Sequence, residues 1–249
     1  MFSDPISNWI PYPLLRMRLK RDQDLHKKYK KGIDEYINKG YASKIEQDQP
    51  NDVRTERRKT GEWYLPHHPV VHPQKPQKPR IVFDCVAKYR DASLNSQLLQ
   101  GPDMTNRLVG VLSRFRQDPI AFIANIEAMF CQVRVSPEHR NFLKFLWWRD
   151  GDYDQPPEDY NRLVHLFGAT SSPSCAGFCL RKAADEFEGE FDPATIETIR
   201  KNFYVDDCLK SVTETEKAVK LIEEFRQLLA RRSFRLTKFV SNDVNDSRK

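Results

Sequence analysis

Phe203-Tyr204-Val205-Asp206-Asp207-Cys208 places two carboxylates side by side where the chain is expected to reverse. Phe203 to Val205 favours a strand, Asp206-Asp207 the turn, and Cys208 through Val212 the returning strand. Adjacent negative charges repel, and a fold seldom holds them together without a cation. Three or four carboxylate oxygens on a rigid turn suit Mg²⁺ that also binds substrate phosphates. A solvated acidic turn is the plainer alternative for the pair taken alone.

The flanking sequence gives the hairpin its setting. Ile120 to Ala124 reads as a short apolar strand, and Ser136-Pro137 as an N-cap with proline in the first helical turn, opening a helix through Phe142 and Leu143. Leu146-Trp147-Trp148 returns as a strand, Asp150-Gly151 as a turn, and Arg162 to Phe167 as a further strand. Ser172-Pro173 opens a helix with Ala176, Leu180, Ala183, Ala184 and Phe187 on one face, and Asp192-Pro193 opens a shorter one. Thr213-Glu214-Thr215-Glu216 has the form of a capping box. The helix behind it aligns Ala218, Leu221, Ile222, Phe225, Leu228 and Leu229, and Phe234 to Val240 reads as the closing strand. The order strand–helix–strand–strand–helix–strand predicts an α+β fold, an antiparallel sheet with helices packed on one face.

Upstream, Leu25, Tyr29, Ile33, Tyr36 and Ile37 repeat at helical spacing between lysines. The polar run from Glu46 to Lys59 reads as a linker. Pro73, Pro76 and Pro79 are expected to break up a Lys/Gln-rich loop ahead of the strand Ile81-Val82-Phe83. The 249 residues carry a net charge of +6. Residues 1–60 hold fourteen Lys/Arg against nine Asp/Glu, so most of the excess sits near the N-terminus. That suits a polyanionic partner such as nucleic acid, and equally a solvated helix surface. No stretch approaches a transmembrane helix and no signal peptide is evident, so a soluble, cytoplasmic protein is expected. The five cysteines show neither disulfide-framework spacing nor a C-x-x-C pair, and a zinc site on His67, His68 and His72 lacks a companion Cys pair.

Longer runs carry a resemblance. They are Trp63-Tyr64-Leu65-Pro66-His67-His68-Pro69-Val70, Arg80-Ile81-Val82-Phe83-Asp84, Ser93-Leu94-Asn95 and Gly101-Pro102-Asp103. Phe145-Leu146-Trp147-Trp148, His165 through Pro173, Tyr204-Val205-Asp206-Asp207 and Phe234-Arg235-Leu236-Thr237-Lys238 follow in order. Together they resemble the reverse transcriptase region of BEL/Pao-type LTR retrotransposon polyproteins. The resemblance implies a basic helical lead-in and linker over 1–60, fingers over 61–115 and a palm over 116–249. Because the chain stops soon after Lys238, the thumb is expected to be largely absent.

The implied activity is RNA-directed DNA polymerisation by two-metal nucleotidyl transfer. Its cofactor would be Mg²⁺ (or Mn²⁺). Its partners would be an RNA template, a DNA primer and deoxynucleoside triphosphates, with no membrane, alongside other parts of a Gag-Pol-like polyprotein and in virus-like particles. The resemblance makes Asp206 and Asp207 metal ligands, with the backbone of Ile126. It assigns nucleotide contacts to Arg80, Lys78, Phe130 (the aromatic steric gate), Phe167, Gly168 and Tyr204, and protonation of pyrophosphate to Lys238. Lys75 is a weaker candidate for the triphosphate.

One position departs from the pattern. Where the family has Ala-Asp-Ile-Glu-x-Met-Phe, this chain has Ala124-Asn125-Ile126-Glu127-Ala128-Met129-Phe130. Asn125 removes a full charge from a site meant for two cations, and an amide cannot bridge them as a carboxylate does. Glu127 is a poor substitute because its longer side chain displaces the carboxylate. Arg232-Ser233 also replaces a family Gly-Gly, which puts a left-handed turn in doubt. Impaired polymerisation is expected, with a non-catalytic nucleic-acid-binding descendant, or a fragment of the polyprotein, as the alternative. Asn125, Asp206 and Asp207 should converge at one end of the sheet, with roughly 4–8 Å between their polar groups.

Overall fold

The computed structural model describes residues 11–46 and 61–243. In chain order the elements begin with α1 (Pro11–Arg21), α2 (Gln23–Asn38), β1 (Ala42–Lys44), β2 (His67–His72), β3 (Lys75–Phe83), α3 (Leu94–Gln97) and α4 (Leu108–Phe115). Next come β4 (Ile120–Ile126), β5 (Lys144–Trp148), β6 (Pro157–Arg162), α5 (Ser172–Glu186) and α6 (Pro193–Lys201). The chain closes with β7 (Phe203–Tyr204), β8 (Asp207–Val212), α7 (Thr215–Ala230) and β9 (Leu236–Ser241). All of the expected linker beyond Glu46 lies outside the described residues.

Contacts divide the chain into two units, each made of two stretches: Met1–Leu99 with Arg134–Thr170, and Gln100–Val133 with Ser171–Lys249. Neither unit coincides with a single sequence segment such as 61–115 or 116–249. The first unit holds an antiparallel sheet of order β1-β6-β5 and the hairpin β2-β3. Its core closes on Leu19, Tyr29, Ile33, Phe145, Trp147 and Trp148. The Leu25–Tyr29–Ile33 stripe of α2 is buried as its spacing predicts, and Asp22 caps the helix by accepting the Leu25 N–H at 2.9 Å.

Two expectations fail in this unit for physical reasons. Pro76 and Pro79 stand inside β3 rather than in a loop. The register jumps from Val70↔Arg80 to His72↔Lys75, so residues 76–79 face only Val71, and a residue without an N–H fits such an irregularity. The strand expected at Arg162–Phe167 is instead the polar segment Pro157–Arg162. That segment pairs with β5 on one side and β1 on the other, while Val164 and Leu166 bury their side chains from irregular chain. Pairing partners, not hydropathy, select the strand here.

The second unit is a four-stranded sheet of order β7-β8-β4-β9. Alternation along β4 turns Phe122, Ala124 and Ile126 into the core, against Ala218, Leu221, Phe225, Leu228 and Leu229 of α7. Ala176, Leu180, Ala183 and Ala184 of α5 and Ile196 and Ile199 of α6 join the same cluster. The odd-numbered residues of β4, Asn125 among them, take the other face.

Capping departs from expectation in three places. Thr213–Glu216 forms no capping box: Thr215 gives its hydroxyl to Asp243, and Thr213 accepts from Lys217 at 3.0 Å. Ser136 and the N-cap of α5, which is Ser171, make no side-chain cap bond. The segment Pro137–Leu143 is a 3₁₀ helix. Asp192, by contrast, caps α6 by accepting from the Ala194 N–H at 2.9 Å.

Candidate active site

The reversal at 203–208 is tighter than its sequence suggests. Phe203 pairs with Cys208 and Tyr204 with Asp207, so the loop is Val205-Asp206 and Asp207 already belongs to β8. Val205 takes φ +56°, a left-handed conformation that is an outlier for a β-branched residue. Positive φ at the first loop position is characteristic of tight two-residue hairpins, where glycine usually carries it.

Register then delivers the third group. Asn125 lies opposite Asp207 on β8, and the Ile126 N–H donates to the Asp206 carbonyl at 2.8 Å. Asn125 Nδ2 donates to Asp206 Oδ2 at 2.9 Å and to Asp207 Oδ1 at 2.9 Å. The three side chains meet at one end of the sheet, as expected. Two ionised carboxylates only accept hydrogen bonds, so they dictate that the amide nitrogen, not its oxygen, faces them. Ile126 also pairs with Leu236 on β9.

The donor set does not fit a pair of divalent cations. The amide has both N–H groups committed to the carboxylates that a metal would need. The resembled family places a third carboxylate at this position, and here only Asp206 and Asp207 carry one. Among the described residues no group of three His, Cys, Asp or Glu is placed to hold a metal ion. Glu127 does not complete the set. It falls in the turn just past β4, where its carboxylate lies 3.3 Å from Arg235 and its N–H donates to the Arg235 carbonyl at 2.8 Å.

Phe130 sits in a short 3₁₀ turn after Ala128, half-buried. With Val205, Met104, Asn106, Pro173 and Gly177 it lines a small open cleft. Asn106 is a residue that sequence reading passed over. Its Nδ2 donates to the carbonyls of Phe203 at 2.9 Å and Arg200 at 3.1 Å, tying the base of the hairpin to the preceding helix. Nothing distinguishes it in sequence beyond its place just after Gly101-Pro102-Asp103. Tyr204 is 37% exposed, beside the loop.

Lys238 stands exposed on a bulge of β9, at φ +54°, where the register steps from Ile123↔Val240 to Asn125↔Thr237. The left-handed turn that the missing glycines put in doubt is nonetheless made. Ser233 adopts φ +64°, and the Phe234 N–H returns to the Leu229 carbonyl at 3.0 Å, closing α7.

Four of the expected nucleotide contacts belong to the first unit. Arg80 is exposed on β3 opposite Val70, and Lys78 Nζ lies 3.6 Å from Glu35 of α2. Phe167 is 82% exposed at a turn, next to Gly168 at φ +101°. Asn95 holds that turn from both sides, donating to the Gly168 carbonyl at 2.8 Å and accepting from the Thr170 N–H at 2.9 Å. The histidines are not arranged for zinc. His67 is buried against Tyr29 and Leu146, and burial lowers its pKa to about 4.

No protein-family model matches the chain, and no curated protein matches it by sequence. Solved structures do match. A prototype foamy virus protease-reverse transcriptase mutant is 18% identical at TM-score 0.55, over 82% of this chain. Two foamy viral protease-reverse transcriptases in complex with double-stranded DNA are each 15% identical, at TM-scores of 0.59 and 0.57, over 85% and 84% of this chain. The fold is that of a reverse transcriptase. This reverse-transcriptase-like chain spans only 22%, 30% and 36% of the length of those three structures.

Proposed function

We propose that the chain is a reverse transcriptase-type domain of a BEL/Pao-like LTR retrotransposon whose nucleotidyl transfer is impaired while nucleic-acid binding persists. The observation that carries this reading is Asn125 donating to both Asp206 and Asp207, in the place where the resembled family has a third carboxylate. In that family the divalent cations activate the primer hydroxyl and neutralise the triphosphate. The amide both removes a charge and satisfies the two carboxylates that remain.

The chain's other residues retain a role in binding. Arg80, Lys78 and Lys75 offer exposed cations to phosphate, a role that suits Arg80's planar donors best. Phe167 and Tyr204 present exposed rings, and Phe130 an aromatic wall to its cleft. Gly168 allows a turn that a side chain would strain. Lys238 is assigned to pyrophosphate. Two of the three foamy viral structures of the same fold are complexes with double-stranded DNA, which supports assigning an RNA–DNA or DNA duplex to this chain.

Single-nucleotide extension on an RNA template tests the chemistry, with Mg²⁺ or Mn²⁺ and three proteins: the chain itself, Asn125→Asp, and Asn125→Asp with Asp206→Asn. The expected result is little or no extension by the first and third and measurable extension by the second. Robust extension by the unaltered chain would overturn the impairment. Titration of a labelled RNA–DNA hybrid at two salt concentrations tests binding separately. Affinity should fall with salt by roughly 0.7–0.9 in log–log slope per phosphate neutralised. Absence of binding at low salt would reject the nucleic-acid role.

A further inference from the structure

We infer that Asn125 is a built-in substitute for a cation: its amide clasps Asp206 to Asp207 and makes the hairpin independent of divalent metal. This goes beyond the proposed function, because it concerns the folded protein without nucleic acid or nucleotide. The hairpin has an intrinsic reason to open. Its two carboxylates are adjacent in sequence and repel, and its first loop residue, Val205, is held at φ +56°. Something must offset both.

Asn125 is the group placed to do so. An asparagine amide nitrogen has two hydrogens, and here one goes to each carboxylate, both at 2.9 Å. Hydrogen bonds to ionised acceptors are stronger than neutral ones. The bonds span two elements, since Asn125 is on β4 and the carboxylates are on the loop and the start of β8. A backbone bond and a side-chain bond fasten the same corner: Ile126 N–H to the Asp206 carbonyl at 2.8 Å, and Asn106 Nδ2 to the Phe203 carbonyl at 2.9 Å. A divalent ion entering the cluster would have to break both amide bonds, and at position 125 it would find a neutral amide oxygen in place of a third carboxylate. Asp at position 125 reverses the arrangement: three carboxylates converge with no donor among them, and only a cation or a proton shared between them relieves the repulsion.

Thermal unfolding in excess chelator and in millimolar Mn²⁺ or Mg²⁺ tests this. The unaltered protein should melt at the same temperature in both. Asn125→Asp should melt lower in chelator by at least roughly 2–4 °C and recover in Mn²⁺. Asn125→Asp with Asp206→Asn, which returns one amide to the cluster, should recover without metal. Asn125→Asp as stable as the unaltered chain in chelator would overturn the inference, and so would a double variant that stays destabilised. Should Asn125→Asp not fold at all, NMR of the unaltered protein decides. The Asn125 side-chain amide signals should be shifted by their carboxylate partners and unbroadened by Mn²⁺. Paramagnetic broadening there would show that the ion displaces the clasp. The inference and the proposed function rest on the same amide bonds, but none of these readouts uses primer extension or duplex binding, so failure of one is distinguishable from failure of the other.

Discussion

His67 is buried as a neutral imidazole with a tautomer set by its partners. The Leu146 carbonyl, 2.8 Å from Nε2, can only accept, so Nε2 carries the proton and the Tyr29 hydroxyl donates to Nδ1 at 2.7 Å. Desolvation pushes its pKa down from 6.5 to about 4. Between those values the unfolded chain binds a proton that the folded chain refuses. Stability is therefore fully present above about pH 6.5 and falls as pH drops, by roughly 3 kcal/mol at pH 4 from this residue. Burial lowers His165 as well, in the same direction. His67→Gln should be less stable at neutral pH and should show a flatter loss between pH 6.5 and 4, measured by urea unfolding at a series of pH values. A variant with an unchanged slope would mean that other groups carry the acid sensitivity. Gly168 gives a second residue-scale expectation: at φ +101°, Gly168→Ala should lose about 1–2 kcal/mol although the added Cβ meets nothing closer than 3.7 Å. At this scale Asn125 is legible in sequence because its place in a motif marks it, whereas its donor role needs the register with β8. His67 is the converse. A histidine looks the same in sequence whether it faces solvent, metal or a tyrosine, and only packing separates these.

The hairpin β7–β8 shows what an element can impose on a residue. Val205 occupies a left-handed position because the loop between the paired residues Tyr204 and Asp207 has only two residues. Val205→Gly should be neutral or stabilising by up to about 1 kcal/mol, as relief of backbone strain offsets lost contact and chain entropy. A loss of more than that in a chemical melt would show that the Val205 side chain, where it lines the cleft beside Phe130, outweighs the strain. Elements with a strong period are legible: the stripes of α2, α5 and α7 are buried at most of the positions that their spacing marks, with Tyr36, Ile37 and Ile222 only partly covered. Elements chosen by partners are not. Pro157–Arg162 has little apolar character and becomes a central strand because β1 and β5 flank it, while the apolar residues after it stay irregular. Capping failed as a signal where the hydroxyl took a different partner, as Thr213 does with Lys217.

At the scale of the molecule, each buried cluster lies wholly within one unit, although each unit is assembled from two separated stretches of chain. Crossings after Leu99, Val133 and Thr170 carry no charge run or low-complexity stretch, so composition could not place them; the one compositional break, Glu46 to Lys59, lies elsewhere. The division predicts separable unfolding, and tryptophan provides the probe. Trp63, Trp147 and Trp148 are in the first unit, and the sequence of the second contains no tryptophan, so intrinsic fluorescence follows the first unit only. Phe225, fully buried in the second core, is the lever: Phe225→Ala should destabilise that core by about 3–5 kcal/mol. Far-UV circular dichroism, which senses α5, α6 and α7, should then begin to change at lower denaturant while the fluorescence transition stays near its original midpoint. Phe145→Ala in the first core should move the fluorescence transition instead. Coincident shifts of both probes in both variants would mean that the two cores unfold as one cooperative body, with a single stability for the whole chain.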